Sequence, residues 1–372
     1  MKNVHKHQLS SWRAGAVVVL CAIASALAQE STPAAKPTVE PLRVVVTIPD
    51  LGALARAVGG DLVTVDALVR GTEDPHFTVA RPSLVRLLSR ADMLVVVGLD
   101  LETAWLQPLC DNARNPSIQR TGASNTGTGF AGPGYIDASR AIVLRGVLAD
   151  RLDRSLGDLH RGGNPHYLTD PLCGLNVAEF LRDQFSAVRP DGKAAFASNC
   201  TKFREQMCTA MVGERIARAY DFDAATLARL YELDRLDALL EENGDRDQLG
   251  GWFEAMRPYR GVQVIADHDL WPYFAARFGV RVRGFLEPKA GIAPTTRHLE
   301  EIVTLMQQEK IEVLWSTPYF SPQHAQFVAG KTGARIASLA HQVGARDGCD
   351  DFIAMVDHNV RALVAAIRGT GQ

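Results

Sequence analysis

From residue 42 onward the chain alternates short β-branched apolar runs with stretches whose apolar residues recur every three or four positions. Residues 42–47 (LRVVVT) read as a buried strand. Leu51, Leu54, Ala55 and Val58 then fall at i, i+3, i+4 and i+7, one helix face, stopped by Gly59 and Gly60. Residues 63–68 form a second strand, Pro82 opens a helix carrying Leu84, Val85, Leu87 and Leu88, and residues 93–98 (MLVVVG) a third strand. This βαβαβ rhythm predicts a mostly parallel sheet covered by helices. Ligands of such sheets bind beyond the carboxyl ends of the strands, where the loop 71–76 falls.

The middle of the chain is helical. Residues 135–145 read as a strand with a short turn, and 177–208 as helix interrupted near Pro190-Asp191-Gly192. Residues 193–212 hold no helix breaker, which predicts a long helix joining two lobes; 209–243 continue in helical sequence, with a break at Gly213 and an end at Asn243-Gly244. The opening rhythm then returns. Strands are expected at 262–266, 280–285, 311–315 and 334–339. Between them lie a helix with Tyr273, Phe274 and Phe278, one with Leu299, Ile302, Val303 and Met306, and one from Ser321-Pro322 to Gly333; a last amphipathic helix carries Ile353 to Ile367. The pattern thus predicts an α/β protein: a first lobe over 42–190, a linking helix and helical insertion over 191–250, and a second lobe over 251–372. The ligand site belongs in the cleft between the lobes.

The first 41 residues stand apart. Lys2, Lys6 and Arg13 precede an apolar run over 14–28 that ends in Ala26-Leu27-Ala28. That is the pattern of a secretory signal peptide over 1–28, with a Pro/Ala/Ser/Thr-rich spacer over 29–41, and it implies an exported protein. The leader contains Cys21, leaving Cys110, Cys173, Cys200, Cys208 and Cys349. An odd number leaves at least one thiol unpaired within the chain. Cys200 and Cys208 sit about 12 Å apart along a helix, too far to bridge. No C-x-x-C spacing offers a thiolate metal site. The 47% apolar content and net charge of −2 are those of an ordinary globular protein and give no reason to expect a nucleic-acid partner.

Three histidines stand in loops stiffened by turn residues and proline: His76 after Asp74-Pro75, His166 within Asn164-Pro165-His166-Tyr167-Leu168-Thr169-Asp170-Pro171, and His268 within Asp267-His268-Asp269. Neutral imidazoles on loops of separate elements are a possible first shell for zinc. Spacing alone leaves ligand and ordinary roles evenly balanced, because the three positions form no compact motif. His160, His298, His324 and His358 occupy polar or helix-surface contexts and read as ordinary.

The strings Glu73-Asp74-Pro75-His76, Leu101-Glu102-x-x-Trp105-Leu106 and the Asn164–Pro171 run resemble the solute-binding proteins of zinc and manganese ABC importers. So do His268-x-x-Trp271-x-Tyr273-Phe274 and Leu286-Glu287-Pro288-Lys289-x-Gly291-Ile292-x-Pro294, in order and in register across nearly the whole chain after residue 42. The resemblance implies two α/β lobes joined by a rigid helix with the metal between them. It implies His76, His166 and His268 as metal ligands, zinc more readily than manganese as cargo, and an ABC permease in the membrane as partner. It also implies a fourth ligand, an aspartate in a Leu-Asp-Pro-Leu-like string, where this chain reads Leu339-Ala340-His341-Gln342-Val343. Ala340 cannot coordinate; His341 is set aside because neighbours on an extended segment face opposite ways, and water, Asp350 or Asp351 remain open. All-nitrogen ligation favours zinc, and affinity should fall in mild acid as imidazoles take up protons. A binding protein rather than an enzyme is therefore expected. Two rivals use the same residues: a zinc hydrolase with an open three-histidine site, with Glu73 or Glu102 as base, and a metal-dependent surface adhesin.

Overall fold

The computed structural model describes residues 40–118, 132–146, 162–288 and 291–370. The expected leader, nearly all of the spacer, most of the Gly/Ser/Thr-rich loop after residue 120, and His160 lie outside the described residues.

The first lobe runs β1 (Leu42–Val46), α1 (Pro49–Gly59), β2 (Val63–Ala67), α2 (Pro82–Arg90), β3 (Met93–Val96), α3 (Leu106–Ala113) and β4 (Tyr135–Asp137). Its four strands are all parallel, in the order β2-β1-β3-β4. The middle strands are the chain's most continuous apolar runs: β3 is buried at every position and β1 at all but Arg43. Helices cover both faces, so the interior strands have no solvent side to make polar.

A helical middle follows: α4 (Pro171–Val188), α5 (Lys193–Val212), α6 (Glu214–Ala219), α7 (Ala224–Glu232), α8 (Leu236–Asn243) and α9 (Gly251–Met256). Asp170 caps α4 by accepting from the Leu172 amide. The expected linking helix is α5, about 30 Å long at the usual rise per residue; it packs on α1 of the first lobe and on its neighbours α4 and α9. Gly213 ends it with φ +82°, and a Cβ built on Gly213 would stand 3.0 Å from Gly250 Cα. The Gly250 amide donates to the Val212 carbonyl at 2.9 Å. The helices α6 to α8 therefore leave and return at one point, where two glycine backbones touch.

The second lobe runs β5 (Gln263–Ala266), α10 (Pro272–Phe278), β6 (Arg281–Phe285), α11 (Thr296–Glu309), β7 (Val313–Ser316), α12 (Pro322–Thr332), β8 (Arg335–Ser338) and α13 (Phe352–Arg368). Its sheet is again wholly parallel, ordered β6-β5-β7-β8, so the two lobes share one topology. One large core joins both lobes and the middle helices, while Ile265, Leu299, Ile302, Met306, Leu314 and Val328 form a smaller one beneath α11 and α12.

The two helices α3 and α9 are absent from the hydrophobic-pattern reading. They have 8 and 6 residues, too short for periodicity to declare itself. All five described cysteines are free and buried.

Candidate metal centre

Two of the three histidines are built the same way. In Asp74-Pro75-His76 the Asp74 carboxylate accepts from the His76 amide (2.9 Å) and from its ring Nδ1 (2.8 Å). In Asn164-Pro165-His166 the Asn164 side-chain oxygen accepts from the His166 amide (2.9 Å) and from Nδ1 (3.0 Å). An Asx side chain thus folds over a proline and grips the histidine beyond it, twice. Trp105 Nε1, donating to the Pro75 carbonyl at 2.9 Å, fastens the first of these loops. His268 begins the loop after β5, at the point where strand order reverses; its amide donates to Asp267 (2.9 Å) and its Nδ1 to the Glu287 carbonyl (2.8 Å). Asp267 also accepts from the amide and hydroxyl of Thr317, each at 2.6 Å, clamping the ends of β5 and β7 together.

These acceptors decide the tautomers. A carbonyl oxygen only accepts, so His268 carries its proton on Nδ1. The Asp74 and Asn164 oxygens already accept from backbone amides, and each takes a second proton from Nδ1. In all three rings Nδ1 is the protonated nitrogen, as in metal-ligating histidines with an oriented partner on the nitrogen away from the metal. His298 and His358 do the reverse, spending Nε2 on the carbonyls of Phe285 and Ser338, both at 2.9 Å. Their ordinary reading fits these contacts.

The rings of His76 and His166 lie 5.2 Å apart, centroid to centroid, with both Nε2 atoms buried. His268 stands on the opposite lobe between Phe285 and Phe320, and its loop is tied to the His166 loop by Asn164 Nδ2 donating to the Asp269 carbonyl (2.9 Å). Among the described residues, no group of three or more His, Cys, Asp or Glu side chains is drawn close enough to hold an ion. Two of the expected ligands are thus together, and His268 forms no such group with them among the described residues.

The segment after β8 closes the other side. Gln342 Nε2 donates to the carbonyls of Arg70 (3.1 Å), Gly71 (3.2 Å) and Glu73 (2.8 Å), and the Val343 amide donates to Asp50 (3.2 Å). The approach is so close that a Cβ on Gly71 would lie 2.3 Å from the Val343 carbonyl oxygen. Ala340 is enclosed: its amide donates to Asn359 Oδ1 (2.7 Å) and its carbonyl accepts from Asn359 Nδ2 (2.8 Å). His341 turns toward the first lobe, with Nε2 3.3 Å from the Glu73 carbonyl and its ring edge-on to Tyr319. Its ring nitrogens are enclosed although part of the side chain stays exposed, and burial pushes the imidazole down to about 4, keeping it neutral. Asp351 is used as the cap of α13, accepting from the Ala354 amide.

The carboxylates around the site differ in state. Burial works against the Asp74 charge, yet the hydrogen bonds from the His76 ring and amide hold it below the usual carboxylate range. Burial, with Asp267 and Asp74 nearby, pushes Glu287 up to about 7. Burial likewise pushes Glu102 to about 7, and its oxygens accept from the Thr47 hydroxyl (2.7 Å) and the amides of Val97 (2.7 Å) and Gly98 (3.1 Å). Glu102 is a brace for the β3 end.

Two α/β lobes of one topology, bridged by helices and bearing histidines on facing loops, define a two-lobed binding protein built around a cleft. The profile of the family described as "ZnuA: Zinc-uptake complex component A periplasmic" matches residues 44–212 and 243–366, and the chain belongs to that family. The unmatched stretch between them falls within the excursion that Gly213 and Gly250 close. The high-affinity zinc uptake protein ZnuA of Paracoccus denitrificans is 41% identical over 268 residues, 69% of each chain. The manganese-binding lipoprotein MntA of Halalkalibacterium halodurans is 22% identical over 354 residues, 94% of this chain and 96% of its own. A crystal structure of ZnuA shares the fold at TM-score 0.62 and 18% identity, over 88% of this chain and 99% of that one.

Proposed function

We propose that this protein is exported, captures a divalent metal ion between its lobes at His76, His166 and His268, and delivers it to an ABC-type membrane permease. The observation that carries the reading is that each of the three loop imidazoles is gripped through Nδ1 by an oxygen acceptor, the way metal-ligating histidines are oriented by a partner on the other nitrogen. Zinc is the cargo this donor set favours, since manganese prefers carboxylate oxygen. The similarity to zinc-uptake proteins supports the same choice.

Zinc hydrolysis needs a base beside the metal. Glu102 is committed to the Thr47 hydroxyl and two amides, and Glu73 accepts from the Arg70 amide at 3.0 Å. An adhesin reading rests on fold alone: a laminin-binding adhesin of Streptococcus agalactiae shares it at TM-score 0.60 and 18% identity.

The test is calorimetric titration of metal-stripped, leader-free protein with zinc and with manganese. One zinc per chain is expected, bound more tightly than manganese, and lost when His76, His166 and His268 are all changed to alanine. His166→Ala alone should weaken zinc at least about tenfold without altering the fold. Unchanged zinc affinity in the triple variant would remove the site.

A further inference from the structure

We infer that His341 supplies a fourth protein nitrogen to the metal ion, replacing the carboxylate that the family resemblance leads one to expect at Ala340. The inference rests on the metal-capture reading above and adds to it a ligand and a basis for selectivity.

Four observations lead there. The segment carrying His341 is clasped to the His76 loop by Gln342 and Val343, so the second lobe already touches the first beside an expected ligand. Both polar backbone groups of Ala340 are held by Asn359 on α13, and the chain turns the next side chain toward the first lobe. The alternation that argues against His341 in an extended segment therefore works in its favour. The Glu73 carbonyl can only accept, so His341 carries its proton on Nε2 and keeps a lone pair on Nδ1. That nitrogen is buried and has no hydrogen-bond partner among the described residues. Finally, His76 and Asp74 lie within electrostatic reach of the His341 ring.

A buried imidazole nitrogen without a donor is poorly satisfied in the metal-free protein and gains a partner when a cation arrives. Exchanging a carboxylate for an imidazole also removes the one oxygen donor that suits manganese. His341 thus becomes a specificity-determining residue for zinc.

The experiment compares the wild type with His341→Ala, His341→Phe and the double variant Ala340→Asp/His341→Ala. Competition titration against a chelator gives affinities, and X-ray absorption at the zinc edge counts imidazoles. The wild type should show four. His341→Ala should show three, with affinity lowered at least about tenfold and one zinc per chain retained. His341→Phe keeps a ring against Tyr319, so it stands in if the alanine variant is unstable, and it should bind like alanine. The double variant should bind zinc no more tightly than His341→Ala, because residue 340 faces α13; recovered zinc affinity there would overturn the assignment of residue 341 as the one turned toward the metal. Wild-type affinity and an unchanged imidazole count in both single variants would overturn the inference while leaving the three-histidine site intact. Undiminished binding by the His76/His166/His268 triple variant would instead overturn the site itself.

Discussion

Asp50 sits in the first turn of α1 with its side chain fully enclosed, one oxygen accepting from Val343 and the other without a partner among the described residues. Burial raises its pKa from 3.8 to about 7, against the opposing pull of the Val343 amide. A carboxyl whose folded pKa is raised keeps a proton that the unfolded chain has released. Its contribution is complete below about pH 4 and is lost as pH climbs toward 7. Asp50→Asn keeps an acceptor for Val343 and removes the titration. The variant should therefore be more stable than wild type at pH 8, by on the order of a few kcal/mol, and little different near pH 4. Urea unfolding at the two pH values checks this; equal stability of the two proteins at pH 8 would mean that the enclosed carboxyl is not strained. Glu102, raised in the same direction, should leave the variant with a residual slope. At this scale sequence alone reaches part of the way. The repeated Asx-Pro-His strings are visible in the chain, because a local turn grips its own histidine. The direction of His341 is not, because it depends on a hydrogen bond to residue 73, 268 positions away.

The central strands could be read directly because they are buried on both faces and spelled as unbroken β-branched runs, and observed ends fall within about two residues of the expected ones. The linking helix was legible for the opposite reason: 20 residues without a breaker, closed by a glycine that the backbone needs. What the pattern could not convey is how the excursion over α6 to α8 is fastened. Arg277 on α10 forms a two-pronged ion pair with Asp170, both distances 3.0 Å, and donates to the Ala228 carbonyl at 2.7 Å and pairs with Glu232, both on α7. Arg145 also pairs with Glu232. Arg277 and Asp170 are both almost wholly buried, so the pair locks the cap of α4 to the second lobe and to the inserted helices. Removing one partner strands the other charge. Arg277→Ala should cost about 3–5 kcal/mol in chemical denaturation, whereas Arg277→Met with Asp170→Asn should recover much of it. A cost under about 1 kcal/mol for the single change would show the network to be well solvated.

On the proposed site, the first lobe carries two donors, His76 and His166, and the second carries His268 and His341, an arrangement that bears on how binding would proceed. The His76 and His166 rings are near neighbours, so on that proposal they would receive zinc first. Two imidazoles alone leave half of a tetrahedral shell to water. On the proposed site, full affinity would require the His268 loop to join the first-lobe pair, since no three donors meet among the described residues. Zinc binding and interlobe contact are then one linked equilibrium, and ligand in hundredfold excess over its Kd should stabilise the protein by about 2.7 kcal/mol. Hydrogen exchange locates that energy. In wild type, zinc should slow exchange at residues 70–77 and 164–169 and also across the cleft, at 266–270 and 341–344. His268→Ala retains the first-lobe pair, so it should show weaker binding and protection confined to the first two segments. Identical protection maps for the two proteins would mean that the lobes do not move on the metal. On the proposed delivery role, recognition of the loaded state would then have to rest on something other than a closed cleft.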